Sequence, residues 1–132
     1  MASYRVREGD VTAADSFTAL TSLYGQSTSS SVQVPAGSSA IVGIIAAVSQ
    51  NGATADNCTF AIQLTGDGLS EQQTLTIGSS SNIGTETSDG TTNLPFSLDV
   101  AIPVTSSNQV SIAGAMDADM GEAQFSVTLV FA

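Results

Sequence analysis

Three carboxylates crowd one short stretch near the C-terminus: Asp117, Asp119 and Glu122 in "MDADMGE". Hard cations such as Ca2+ take several oxygen ligands from clustered carboxylates, so these residues form a candidate metal site, although the spacing is not that of an EF-hand. Two other residues stand out by spacing. Arg5 and Arg7 are the only Lys or Arg side chains in 132 residues, set against 12 carboxylates and no histidine. In an extended segment they project to one face, with Tyr4 and Val6 on the other.

Catalytic chemistry is hard to assemble from what remains. Without His or Lys, the usual bases that activate a Ser or Cys nucleophile are missing. Cys58 falls in phase with Phe60, Ile62 and Leu64, which marks it as a small apolar core residue. A carboxylate pair can hydrolyse glycosides, but such sites hold sugars on aromatic platforms. Here there is no Trp, and the tyrosines are Tyr4 and Tyr24. The chain therefore reads as a non-enzyme.

The net charge of −10 argues against nucleic acid, whose affinity rests on phosphate contacts with Lys and Arg. It argues equally against an anionic membrane surface. Only 11% of residues are charged, against about 25% in ordinary globular chains. The polar surface must come from 20 Ser and 15 Thr. The longest apolar run, Ala40 to Val48, is too short to span a bilayer. The N-terminus lacks the apolar stretch of a signal peptide.

The elements that position these residues are strands. Cys58 to Leu64, Phe96 to Val104 and Phe125 to Phe131 alternate apolar and polar residues, the signature of strands with one buried face. Leu75/Ile77 and Val110/Ile112 repeat the pattern in shorter form. "AIVGIIAAV" does not alternate, which predicts a central strand covered on both faces. "VPAGSS", "SQNGATADN" and "TGDGLS" carry turn chemistry. Residues 78–93 read as a long polar loop or as a loop holding a short strand. Between Thr12 and Gln26, Phe17, Leu20 and Tyr24 fit a helical stripe, while Phe17, Ala19, Thr21 and Leu23 fit a strand. The expected organisation is an N-terminal arm or edge strand over 1–11, then one all-β domain over 12–132. That domain is a two-sheet antiparallel sandwich, a jelly roll of about eight strands.

The strand series from "VPAGSSAIVGIIAAVS" to "AQFSVTLVFA", with "LPFSLDVAIPV" as a long alternating strand, resembles small single jelly-roll proteins of virions over residues 32–132. The resemblance implies a capsid subunit or an outer decoration (cement) protein that assembles with itself, as trimer or pentamer, and with other capsid protein. Genome-lining subunits often carry a long basic arm, and this chain has none. The expectation is therefore a decoration protein on the outer surface of a virion, with a shell subunit still open. Its candidate contacts are Tyr4, Arg5, Val6 and Arg7 in the N-terminal segment and Val42, Ile44 and Val48 in the apolar strand. The alternative is an extracellular ligand-binding sandwich, an adhesin or carbohydrate-binding module, using loops 49–57, 78–93 and 116–122.

Overall fold

The computed structural model describes residues 2–51, 57–81, 89–117 and 122–132. Side chains are described for the same residues except 50, 51, 57, 77–81, 89–100 and 122. These residues form strands and turns throughout, with no helix among them.

Seven long strands carry the architecture: β1 (Ser3–Val11), β6 (Ala40–Asn51), β7 (Asn57–Thr65), β8 (Gln73–Ser81), β9 (Asp89–Pro103), β10 (Gln109–Met116) and β11 (Glu122–Phe131). Four short ones lie between the first two: β2 (Thr18–Ala19), β3 (Ser22–Leu23), β4 (Gln26–Ser27) and β5 (Ser31–Gln33). Sheet A runs β4-β3-β1-β11-β6-β9, and sheet B runs β2-β10-β7-β8 with β5 also on β10. Partners nest from the ends of the chain inward. β1 pairs with β11, β2 and β5 with β10, β6 with β9, and β7 with β8, all antiparallel. That is a long hairpin rolled into two facing sheets, which defines a jelly roll.

Two of the long alternating runs face the core as expected, while the side chains of residues 96–100 in the third lie outside the described residues. Cys58, Phe60, Ile62 and Leu64 are buried opposite Phe125, Val127, Leu129 and Phe131. Phe60 and Phe125 meet edge to face, with centroids 5.8 Å apart and planes at 83°; such a pair adds about 0.5–1.5 kcal/mol beyond its burial. Gly114 on β10 lets the sheets approach here, because a Cβ would lie 2.8 Å from the Phe125 ring.

Two expectations change. The segment from Thr12 to Gln26 is neither a helix nor one strand, since β2, β3 and β4 divide it. Leu20 is buried, whereas Phe17 is 40% and Tyr24 89% exposed, so no single helical face unites them. The apolar strand β6 is covered on one face only. A bulge leaves Val42 without a partner, because Val130 pairs with Gly43 and Phe131 with Ile41. The extra residue shifts the phase, so Ile41 and Ile44 both point inward while Val42 and Ile45 stay exposed.

Candidate assembly surface and an adjoining cleft

In an antiparallel pair, directly opposed residues share a face. Tyr4 opposes Val130, Val6 opposes Thr128, Glu8 opposes Ser126 and Asp10 opposes Gln124. On the next strand, Val130, Thr128, Ser126 and Gln124 oppose Gly43, Ile45, Ala47 and Ser49. These rows form the outer face of sheet A, and the face has two halves. Tyr4 (58% exposed) and Ile45 (45% exposed) mark the apolar half, with Val6 and Val130 half-buried between them.

The other half is a cleft of about 430 Å³ lined by Glu8, Asp10, Ser22, Ser49, Gln124 and Ser126 over a floor that includes Gly9 and Ala47. The β3–β4 hairpin borders it through Gly25. Its two-residue turn, Tyr24-Gly25, holds both residues at positive φ, 54° and 74°. This is the type I′ geometry of tight hairpins, which suits glycine and strains tyrosine.

Arg5 and Arg7 lie on the opposite face of β1. They oppose Leu129 and Val127, both fully buried, so the guanidiniums sit at the rim of the core side. Arg7 spends all three nitrogens on carbonyls of its own chain: Nε on Ser29 at 2.6 Å, one terminal nitrogen on Val6 at 2.8 Å and the other on Ser31 at 3.0 Å. Ser31 belongs to β5 in sheet B, and its hydroxyl meets that of Ser111 on β10 at 2.7 Å. Arg7 thus fastens sheet A to sheet B across the mouth of the sandwich. Arg5 donates to the Tyr4 carbonyl at 3.0 Å. Within the chain both guanidiniums are bonded to backbone carbonyls, which no side-chain pattern reveals.

Of the other candidate contacts, Ile44 and Val48 are 0% and 1% exposed. They pack between the sheets and are removed from the contact surface, because the bulge at Val42 turns them inward. Ile45, which no alternation in the apolar run singles out, takes their place outside.

Among the described residues no group of three or more His, Cys, Asp or Glu side chains could hold a metal ion, and the candidate metal cluster falls largely outside them. Asp119 lies outside the described residues, as does the side chain of Glu122. Asp117 has a structural task. Its Oδ1 accepts the Thr59 N–H at 2.7 Å, and its own N–H donates to the Thr59 carbonyl at 3.1 Å. The Thr59 N–H holds the Asp117 carboxyl below its ordinary pKa against an opposing desolvation, with help from Cys58 and the Thr59 hydroxyl. Asp117 also borders a shallower cleft of about 300 Å³ with Asp15, Phe17, Thr59, Ala61, Ala115 and Met116. Of the alternative's binding loops at 49–57, 78–93 and 116–122, residues 52–56, 82–88 and 118–121 lie outside the described residues, while 78–81 and 89–93 belong to β8 and β9.

No family model matches the chain, and no curated protein matches it in sequence. Among solved structures it is similar to Eiger TNF from S. frugiperda, at 13% identity and a TM-score of 0.51, over 100% of this chain and 92% of that one. It also aligns with infectious bursal disease virus, Gx strain, at 11% identity and a TM-score of 0.48, over 98% of this chain and 32% of that one. A third alignment is to the xylanase 10B CBM22-1-GH10 modules of Clostridium thermocellum, at 12% identity and a TM-score of 0.39. Of the three, the first is close enough to bear on fold. At 13% identity it bears on nothing else, since one fold hosts many functions.

Proposed function

We propose that this chain is a non-enzymatic structural protein of a virion, a small jelly roll that self-associates and stabilises the outer surface of a shell. The observation that carries the reading is the apolar half of sheet A's outer face, where Tyr4 and Ile45 are left 58% and 45% exposed on a regular sheet. A flat apolar sheet face rimmed by polar residues is the kind of surface that a protein partner covers. Val42, 36% exposed beside it, extends the surface. The strand-pattern resemblance over 32–132 supports the virion setting. The net charge of −10 supports an outward position, away from packaged nucleic acid. The lack of His and Lys supports a role without catalysis.

The test is the oligomeric state of the purified chain and of Ile45→Asp. Self-association through this face predicts a trimer or pentamer that Ile45→Asp converts to monomer, because a carboxylate at the contact must be desolvated without a partner. An oligomer unaffected by Ile45→Asp would place the interface elsewhere.

The cleft beside this face favours a second reading, a ligand-binding sandwich. Two carboxylates, an amide and three hydroxyls around a floor of small residues suit a neutral, hydroxyl-rich ligand such as an oligosaccharide. That reading predicts retention on immobilised oligosaccharides, lost in the double variant Glu8→Gln/Asp10→Asn. Equal retention of the variant would remove it.

A further inference from the structure

The outer edge of β1 poses a problem that the two arginines answer. Among the described residues, β1 is paired along its full length with β11, from Ser3 with Phe131 to Val11 with Ala123. On its other side it pairs at one position, Glu8 with Ser22. Residues 3–7 therefore present a strand edge, the part of a sheet most prone to pair with another chain.

The hairpin fixes which backbone groups lie on that edge. In a two-residue hairpin the residues flanking the turn, Leu23 and Gln26, bond to each other, and the Thr28 N–H bonds to the Thr21 carbonyl at 2.6 Å. Successive residues of a strand direct their backbone groups to alternate sides. The groups of Ser22 must then point away from β4 and toward Glu8. By the same parity, the carbonyls of Tyr4 and Val6 point out of the same edge as those of Glu8. These are the two carbonyls that the arginines occupy, Arg5 on Tyr4 at 3.0 Å and Arg7 on Val6 at 2.8 Å.

We infer that the edge of β1 at residues 3–7 is a strand-pairing site for a second copy of itself, and that Arg5 and Arg7 hold it closed. They close it in two ways. Each guanidinium occupies a carbonyl that an incoming strand needs. Each also sets charge against charge: antiparallel pairing over the whole stretch places Arg5 opposite Arg5, and a slip of one pleat toward Glu8 places Arg5 opposite Arg7. Like charges directly opposed destabilise strand pairing. The device blocks edge-to-edge pairing of β1 with β1, a two-fold contact that closes as a dimer. It does not depend on the face of sheet A being an interface.

The test uses Ile45→Asp as the parent chain, so that association through the face is separated from association through the edge. The double variant Arg5→Ser/Arg7→Ser is expected to sediment as concentration-dependent dimers, with at least tenfold slower amide exchange at Tyr4 and Val6 than the parent. The single variant Arg5→Ser, whose guanidinium bonds within its own strand, is expected to shift the same way by a smaller amount. It supplies the readout if loss of Arg7 prevents folding. Sedimentation and exchange unchanged from the parent in Arg5→Ser and in the folded double variant would overturn the inference.

Discussion

At the scale of single residues, Arg7 and Asp117 are both bonded to the chain's own backbone. Arg7 joins Val6, Ser29 and Ser31, so Arg7→Ala should release the segment before β5 and cost about 1.5–3 kcal/mol, the range for hydrogen bonds to charged groups. Urea denaturation measures this, and Arg7→Lys should recover only part of it because an ammonium cannot span three carbonyls. Asp117 is a second case. Asp117→Ala leaves the Thr59 N–H without its acceptor and should cost about 1 kcal/mol, while Asp117→Asn keeps an acceptor and should cost less. Because the folded carboxyl is held below its ordinary value, its contribution is complete above about pH 4 and fades as pH falls through the folded pKa. Stability curves of the wild type and Asp117→Asn should therefore converge in acid. These roles were hidden in the sequence for one reason. "MDADMGE" and "YRVREGD" display side chains, whereas the partners of Asp117 and Arg7 are backbone groups brought close by folding.

At the scale of elements, legibility followed contrast between neighbouring positions. β7 and β11 were readable because Phe, Ile and Leu alternate with Thr, Gln and Ser, and their buried residues match that alternation. In β6 the sequence pattern suggests cover on both faces because a one-residue bulge breaks its phase at Val42, and small Ala and Gly residues blur the two sides. The region from Thr12 to Gln26 defeated pattern reading because strands of two residues are too short to show a period. Packing between elements gives a further prediction. Gly114→Ala would press a methyl group against the Phe125 ring and should lower stability by about 1–3 kcal/mol, as overpacking does. The thermal midpoint reports it.

At the scale of the whole molecule, the jelly roll leaves two surfaces of contrasting character on one sheet. The outer face of sheet A exposes Tyr4 and Ile45 beside an acidic, hydroxyl-lined cleft, while the adjoining edge of β1 is occupied by both arginines. With the edge of β1 guarded against two-fold pairing, the open face is the contact through which the proposed self-association would run. Sedimentation velocity of the wild type and Ile45→Asp across a hundredfold range of concentration is the most direct measure of this account. The account predicts one discrete oligomer for the wild type and a monomer for Ile45→Asp. A wild-type chain that stays monomeric throughout would contradict it.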